Sequence, residues 1–577
     1  MNAPLPKNTR RLLPGLANTR RLLPGLALWL AVAGPPVEAQ EGDGRPAGEW
    51  RITPRISVGA TYSDNIRLAP SNEAESDLVL QVDPGISVRR QGGRVQARFD
   101  YTAQGLLYTQ QGEAKLNNNL LGFGTAELYQ DHLFLDVYGS ISQVPVSSGS
   151  RVDAGNLGGG QGSSFANGLF SNLNLGLPGS ADIFNPVGLF SNIALTDDQT
   201  TATSLGVSPY WRQNFGGWTE ALLRYRYNRT GFGQEADSNG QGGASDGDIQ
   251  RVDLNLQSGR HFSLLGWSLD YSRQQQDLQG QNNENNPSQG SGDSTQESVT
   301  GQANYRLNRQ WALLAEAGYE NNDLATFQDD NRNGSYWGLG ARWSPNRRFN
   351  LTGLYGPDFN EVAVQWTPST RTRFELSRRD QSVGLSPGVH WEGSLDYRTR
   401  RSQWSARYTE EVTNTQQLLR DNLIGVGPDG QPILLDDQGQ SVAVGGPFGL
   451  SNQEFLRKRF ETDVTYQRAR NVFGLRAFNE DRQYQDDTLD ESAYGIGGLW
   501  TWRFAPRTAS FLGTGWERNE LSEDQQNDYW VSVIGLARVF TPDSGGLISY
   551  RYYRNDAEPA DQGFRENRLN VRFSVKF

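Results

Sequence analysis

Histidine is the side chain most often used as a general base near neutral pH, and this chain of 577 residues contains three. His132 and His261 fall in separate short turns, whereas His390 stands at the start of a candidate strand with no evident partner. Catalysis needs a nucleophile, a base and an orienting group that converge. We therefore expect no catalytic residues. An enzyme that acts on lipid or glycan, with His390 at its rim, is the alternative in this class.

A second candidate chemistry is calcium binding, because Asp329 to Gly334 reads DDNRNG, like the opening of an EF-hand loop. The twelfth position is Gly340 instead of the bidentate Glu that completes such a site, and Trp337 already belongs to the next alternating segment. The chain has no cysteine, which removes thiolate metal sites and disulfides. We expect no metal site and no cofactor.

The elements that carry these residues can be inferred from composition. Only 36% of the residues are hydrophobic, yet there are 15 Trp, 22 Tyr and 25 Phe. A polar average with many aromatic residues is typical of strands that alternate between an apolar and a wet environment. No stretch after the N-terminus approaches the roughly 20 apolar residues that a spanning helix needs. The chain is therefore not expected to be a helical membrane protein.

The N-terminus has the order of a signal peptide: basic residues from Lys7 to Arg21, an apolar run from Leu22 to Gly34, then Val-Glu-Ala before Gln40. We predict a signal peptide at 1–39 and a short periplasmic segment at 40–51. The whole chain has a net charge of -11, and loss of residues 1–39 removes five basic residues and one acidic residue. Nucleic acid is therefore not an expected partner.

From residue 52 to residue 577 the dominant pattern has a period of two, as in Ile56, Val58, Ala60 and Tyr62. The connections between these segments alternate between short and long, and the largest are 145–200, 229–248, 275–296 and 411–455. Outer-membrane barrels keep short turns on the periplasmic side and long loops outside. The fold prediction is all-β: one large transmembrane antiparallel β-barrel over 52–577, with about 24 strands (range about 20–26). The predicted location is the outer membrane of a Gram-negative bacterium.

Two features predict how the barrel meets its surroundings. An aromatic residue two positions before a proline ends four strands, which predicts a periplasmic aromatic girdle at the headgroup level. Its members are Trp343, Trp366, Phe504 and Phe540. The final strand ends on an aromatic residue in the outward register, which resembles the signal that the barrel-assembly machinery reads. Its outward residues are Leu569, Val571, Phe573, Val575 and Phe577. The expected partners are outer-membrane lipid and the assembly machinery.

A barrel of this size is too wide for side chains to fill, so its lumen must hold water or be plugged by loops. The inward register carries mixed charges, which we predict to form a wet wall with cross-strand ion pairs. These lumen-facing candidates are Arg98, Asp100, Arg224, Arg226, Asp270, Arg306, Glu316, Arg373, Glu375, Arg407 and Arg572. We also predict that loop 145–200, loop 411–455 or both fold over or into the mouth, and that apolar runs in 411–455 form small hairpins.

Several segments together resemble a family of outer-membrane proteins that accompany PEP-CTERM and exosortase gene systems. They are ISVGATYSDNIRLAP (56–70), AELYQDHLFLDVYGSISQ (126–143), LLRYRYN (222–228), GARWSPNRR (340–348), LDYRTRRSQWSARYTEE (395–411) and ENRLNVRFSVKF (566–577). The resemblance covers nearly all of the mature chain. It implies a role in surface-polymer export or envelope organisation, with exopolysaccharide or its export apparatus as a partner, and it implies no established activity.

These observations lead to an expected function and two rivals. The expectation is a passive, porin-like conduit linked to exopolysaccharide export or a PEP-CTERM surface system. The rivals are a plugged structural or adhesive surface barrel, and the barrel enzyme described above. No plug domain or energy-coupling box is recognisable between Gln40 and the first strand. Active transport of the TonB-dependent kind is therefore not expected.

Overall fold

The protein is described from a computed structural model. The structure describes residues 49–145, 175–177, 180–184, 193–196, 199–233, 246–279, 294–324, 333–414, 417–418, 425–426, 432–433, 448, 453–484, 490–522, 525–558 and 563–577. The predicted signal peptide and residues 40–48 lie outside these ranges.

Among the described residues up to 346, the chain forms twelve strands and one helical turn. The strands are β1 (Trp50–Ser63), β2 (Asp77–Gln91), β3 (Val95–Tyr108), β4 (Glu113–Tyr129), β5 (Leu133–Pro145), β6 (Gln199–Phe215), β7 (Thr219–Phe232), β8 (Asp246–Ser258), β9 (Leu265–Gln279), β10 (Ser294–Arg306), β11 (Trp311–Asp323) and β12 (Gly334–Asn346). The helical turn, α1 (Ser180–Ile183), lies between β5 and β6.

The second half adds fourteen strands. They are β13 (Phe349–Tyr355), β14 (Phe359–Ser369), β15 (Thr372–Gln381), β16 (Gly388–Arg398), β17 (Ser402–Thr413), β18 (Gly425–Val426), β19 (Pro432–Ile433), β20 (Phe455–Arg468), β21 (Asn471–Tyr484), β22 (Glu491–Ala505), β23 (Thr508–Ser522), β24 (Gln525–Thr541), β25 (Ser544–Glu558) and β26 (Phe564–Lys576).

The strands form one closed antiparallel barrel. Each strand pairs with the next along the chain, β17 pairs with β20 past the small β18–β19 hairpin, and β1 pairs with β26. The main sheet therefore has 24 strands, and the prediction of a single large antiparallel barrel with about that number is confirmed. The predicted hairpin within 411–455 is confirmed for β18 and β19. Among the described residues, no helix has the length and apolar character to cross a membrane.

Alternation along each strand explains the closure. In β1 the side chains of Ile56, Val58 and Tyr62 are exposed on the outer face, while Arg55 and Thr61 are buried on the inner face. Most strands repeat this arrangement, so an exposed apolar belt surrounds the barrel. Such a belt is unfavourable in water and is satisfied by acyl chains, which defines an outer-membrane β-barrel.

All the connections at one end are short, and this is the periplasmic end by the usual orientation of such barrels. The long connections all lie at the other end, where short turns also join β3 to β4, β13 to β14 and β23 to β24. β1 begins and β26 ends at this periplasmic end. At the outer end, several strands run further than the predicted loops 229–248 and 275–296 allowed, because β7 continues to Phe232 and β9 continues to Gln279. The reason is physical: above the membrane both faces of a strand meet water, so the apolar alternation that marks a strand disappears.

Candidate functional site

The connection between β5 and β6 enters the lumen. Its described residues, 175–177, 180–184 and 193–196, are called the inserted segment below. The connection leaves and returns at the outer end, yet Arg503 Nη1, close to a periplasmic turn, donates a hydrogen bond of 2.8 Å to the carbonyl oxygen of Gly176. Phe184 lies beside Gly545, just after another periplasmic turn: a Cβ on Gly545 would stand 2.5 Å from Phe184 Cζ. For the described residues of loop 145–200, the prediction that the loop folds into the barrel is confirmed, and these residues reach the periplasmic end.

The inserted segment rests on an apolar strip of the lumen wall. Leu175, Leu177, Ile183 and Phe184 are buried in one hydrophobic cluster with inward-facing residues of β22 to β26. This strip, called the apolar wall, comprises Leu499, Ala509, Phe511, Tyr529, Val531, Val533, Ala537, Val539, Leu547, Tyr553 and Phe564. Four large apolar side chains of the segment contribute about 6–12 kcal/mol of gross burial free energy, an upper estimate for the docking.

The C-terminal part of the inserted segment, residues 193–196, is held near the outer rim. The backbone nitrogen of Leu195 donates to the carbonyl oxygen of Ile66 at 2.9 Å, and the Tyr108 hydroxyl donates to the carbonyl oxygen of Ile193 at 2.9 Å. Ile66 lies in the loop between β1 and β2, and it is fully buried with Val79. The first outer loop and the inserted segment therefore share one small core at the mouth.

The Asp-Asn step at 64–65, one part of the family resemblance, fastens the barrel where β1 meets β26. Asp64 accepts hydrogen bonds of 2.7 Å from both the backbone nitrogen and the Nδ2 of Asn567. Asn65 brackets Ala69, donating to its carbonyl oxygen at 2.6 Å and accepting from its backbone nitrogen at 2.9 Å. These contacts, called the seam latch, hold the first outer loop against the closing strand.

The inward face carries buried carboxylates that several arginines share. Glu480 is fully buried, and it accepts hydrogen bonds from Arg457 at 3.0 Å, from Arg482 at 2.9 Å and from Arg459. An ionised carboxylate has about four acceptor sites on its two oxygens, so one Glu can accept hydrogen bonds from more than one guanidinium. The cluster therefore holds β20 and β21 together across the inner face.

A second cluster of this kind lies on the closing strands. Glu566 is also fully buried, and it pairs with Arg551 at 3.1 Å and with Arg568 at 2.6 Å. Arg572 pairs with Asp83 further down the same face. Neither cluster centre was among the residues singled out from sequence. The signal was the inward register itself, in which Glu480 and Glu566 alternate with outward residues in the same way as the predicted set.

The predicted lumen-facing residues all occupy the inward register, opposite the exposed apolar belt. Asp100, Arg224, Glu316 and Arg572 are buried, whereas Arg306 is exposed near a periplasmic turn. Members of the set form the ion pairs Arg98–Asp100 at 2.9 Å, Arg55–Asp100 at 3.7 Å, Arg224–Asp136 at 3.5 Å, Arg226–Asp253 at 2.7 Å, Glu316–Arg379 at 3.5 Å, Arg373–Glu375 at 2.9 Å and Arg572–Asp83. Asp270 accepts a hydrogen bond from Asn255, and Arg407 stands opposite Glu461 in the register.

Loop 411–455 also touches the wall at the few positions that are described. Asn414 Nδ2 donates to Gln276 Oε1 at 2.9 Å, although Gln276 belongs to β9, far around the ring from β17. Phe448 is buried, and its ring lies 4.0 Å from the guanidinium carbon of Arg482. The start of this loop therefore spans part of the mouth, and its later part meets the lumen face of β21.

The inserted segment leaves part of the lumen wall uncovered. Many inward side chains of β10 to β16 are polar and partly or fully exposed, for example Ser298, Gln302 and Ser394, although Tyr336, Leu354 and Phe359 form a small buried apolar cluster on the same strands. By contrast, nearly all inward side chains of β23 to β26 are buried. The wall therefore has a covered apolar side and an open polar side.

The histidines do not come together. His132 and His261 lie in separate periplasmic turns, and each contacts a backbone carbonyl through one ring nitrogen. His390 Nδ1 lies 3.3 Å from Glu410 Oε2, so the expectation that His390 has no partner is wrong. Its other ring nitrogen contacts the backbone carbonyl oxygen of Ser386. A backbone carbonyl is not a catalytic nucleophile. This pair supplies a base and an orienting carboxylate at most.

Residues 329–332 of the calcium-loop match lie outside the described ranges. Across the ranges that the structure does describe, no three His, Cys, Asp or Glu side chains are grouped so that they could hold a metal ion.

The predicted girdle and terminal signal face outward. Trp343, Trp366, Phe504 and Phe540 are exposed, and each stands beside a periplasmic turn. Leu569, Val571, Phe573 and Phe577 are exposed on the outer face of β26 or just beyond it, and Val575 is half-buried in the same register.

Comparison with known protein families finds no match to this chain, and comparison with curated proteins finds none either. Among solved structures, it is similar to the siderophore receptor PirA of Acinetobacter baumannii (10% identity, 91% of this chain, 80% of that chain, TM-score 0.41). It is similar to a variant of the ferric enterobactin receptor PfeA of Pseudomonas aeruginosa (10%, 92%, 82%, 0.42). A third is the ferric-catecholate import receptor Fiu of E. coli K12 (9%, 91%, 81%, 0.43). At these TM-scores the structural similarity indicates nothing about a ligand. The assignment of the fold as a barrel is based on the strand pairing of this chain.

The expectation of a passive, porin-like conduit for exopolysaccharide is wrong. The inserted segment occupies the lumen along one wall as far as the periplasmic end. A chain that fills part of its own lumen fits the plugged rival better.

Proposed function

We propose that the protein is a plugged outer-membrane surface barrel, closed at rest by its inserted segment, whose contacts are made by its outer loops. One observation carries this proposal: the segment runs from the outer rim to the periplasmic end and packs on an apolar wall. A strip of exposed apolar side chains in a water-filled lumen is unfavourable. The resting state should therefore keep the segment in place.

A gated transporter is a second candidate. The many polar, partly exposed inward side chains of β10 to β16 favour it, because a solute could pass along them once the segment moves. The chain has no cysteine, so no disulfide ties the segment to the wall. Release would then require only that apolar contacts and a few hydrogen bonds be replaced.

Single-channel conductance in planar bilayers tests the proposal. The wild-type chain is compared with the double variant Ile183→Asp/Phe184→Asp, which places two charges against the apolar wall, and with Ser71→Asp/Asn72→Asp, which adds two charges to an exposed outer loop. We expect wild type and the loop variant to be silent and the segment variant to give large, stable steps. Equal large steps from all three folded proteins would contradict the proposal, and steps that appear in wild type only with an added solute would favour the gated transporter.

The resemblance to proteins of PEP-CTERM and exosortase systems stays a prediction, and it supports a surface-polymer system as the setting of the barrel. In that setting, exopolysaccharide would meet the outer loops. The outward register of β26 and its terminal Phe577 support the assembly machinery as a second partner. No catalysis is assigned to His390 and Glu410, and the variant His390→Ala should leave every surface phenotype unchanged.

A further inference from the structure

A cavity of about 520 Å³ opens at the periplasmic rim between β13 and β17. It is lined by arginines from successive turns, by small hydroxyl side chains and by two aromatic rings. The residues that matter for the argument are Arg348, Arg371, Arg373, Arg398, Tyr397 and Trp404. Among the lining residues that the structure describes, Asp396 is the one acidic side chain. Arg373 is paired with Glu375, so the positive charge of the cavity comes from Arg348, Arg371 and Arg398.

The positive charge belongs to this sector of the rim. The three consecutive turns at 346–348, 369–371 and 398–402 contain no acidic residue. They carry Arg347, Arg348, Arg371, Arg398, Arg400 and Arg401. Arg348 is fixed in position because its Nη1 donates to the carbonyl oxygen of Pro368 at 2.9 Å. Arg371 and Arg398 are exposed, and neither forms an ion pair within the described part of the chain. Two guanidinium groups are thus left to a ligand.

The membrane side of the cavity is aromatic. Tyr397 and Trp404 face each other across β16 and β17, and both are exposed on the outer face, at 43% and 47%. The indole nitrogen of Trp404 donates to Ser402 Oγ at 3.0 Å, which orients the ring at the strand end. Trp and Tyr rings in this position mark the boundary between headgroups and acyl chains. The cavity therefore joins a positive pocket to a lipid-contacting floor.

We propose that this cavity binds an anionic phospholipid of the inner leaflet. Arg371 and Arg398 hold its phosphate by forked hydrogen bonds, and its glycerol and upper acyl chains lie over Tyr397 and Trp404. A zwitterionic lipid brings an ammonium group into a pocket that already has excess positive charge, so it binds less well. A soluble phosphate would use the arginines and leave the aromatic floor exposed.

Native mass spectrometry of the purified full chain tests this site. The folded protein in neutral detergent is titrated with phosphatidylglycerol, phosphatidylcholine and glycerol 1-phosphate. The variants are Arg371→Gln/Arg398→Gln, Trp404→Ala, and the matched control Arg309→Gln, which alters an exposed turn arginine outside the cavity. A heat-modifiability gel confirms folding of each, and the two single arginine variants replace the double variant if it does not fold.

Each arginine near an anionic headgroup strengthens binding about five-fold, so the double variant should weaken phosphatidylglycerol binding about 25-fold. Trp404→Ala should also weaken it, and Arg309→Gln should not. Equal binding of the double variant and wild type, or equal binding of the two lipids to wild type, would overturn the proposal. Binding of glycerol 1-phosphate as tight as that of the lipid would overturn the lipid assignment, because the aromatic floor would then contribute nothing.

Discussion

At the scale of single residues, the inner face depends on buried carboxylates, each of which several arginines share. Glu480 and Glu566 are both fully buried, and each contacts more than one guanidinium. A buried charge is tolerated only when it is paired and hydrogen-bonded. One carboxylate therefore stabilises all the arginines around it. Loss of that carboxylate raises the free-energy penalty of burying each of their charges.

Replacing Glu480 with Ala should lower the stability of the barrel by about 3–5 kcal/mol, because it removes the buried carboxylate that Arg457, Arg459 and Arg482 share. The urea midpoint of the heat-modifiable band measures this change. The control is Glu411→Ala. The Glu411 side chain also pairs with Arg457 but is 48% exposed, so its loss should lower stability by about 1 kcal/mol or less. Similar shifts of the urea midpoint in the two variants would show that the shared carboxylate of Glu480 stabilises the barrel no more than the exposed carboxylate of Glu411.

At the scale of elements, the sequence predicts the strands well and the inserted segment only in part. An alternating face must meet lipid, and short polar turns, several of them with glycine or proline, separate the strands, so strand number and orientation follow from the pattern. The depth of insertion does not, because the apolar residues of the segment, among them Leu175, Ile183 and Phe184, form no periodic pattern within a glycine-rich loop. A second signal was present: β24 is apolar on both faces, with Val531 and Val533 inward and Trp530 and Ile534 outward. A strand with two apolar faces needs a partner inside the barrel as well as lipid outside.

Replacing Val533 with Asp should release the inserted segment, since Val533 is 1% exposed in the apolar wall. A protease that cleaves after large apolar residues should then cut the folded barrel after Phe184 at a raised rate. Val533→Ile keeps the wall apolar and serves as the control. Unchanged cleavage in Val533→Asp, with the barrel still heat-modifiable, would mean that this wall does not hold the segment.

At the scale of the whole molecule, closure depends on the pairing of β1 with β26, the two strands furthest apart along the chain. The seam latch adds two hydrogen bonds from Asn567 to Asp64 at the outer end of this pairing. The last strand is therefore fastened where the first outer loop begins. The same loop contributes Ile66 to the small core at the mouth, so the seam and the inserted segment are coupled.

Replacing Asp64 with Ala should open the outer end of the seam without unfolding the barrel. Amide hydrogen exchange at Asn567 should become faster by about ten-fold, in line with the loss of charge-assisted hydrogen bonds worth about 1.5–3 kcal/mol. Exchange at Gly535, in the middle of β24, should not change. Glu73→Ala, an exposed substitution in the same loop, is the control, and if it accelerated exchange at Asn567 equally, the effect would belong to the loop and not to the latch.

The contact between Gly176 and Arg503 has a consequence for the order in which the molecule forms. The two residues are 327 positions apart, and the strands that build the apolar wall are the final ones of the chain. A contact across so long a loop forms only after its closure entropy has been overcome by nearer pairings. The inserted segment therefore docks late in folding, after the strands that carry the apolar wall have paired. Docking of the inserted segment therefore marks the completion of barrel closure during folding.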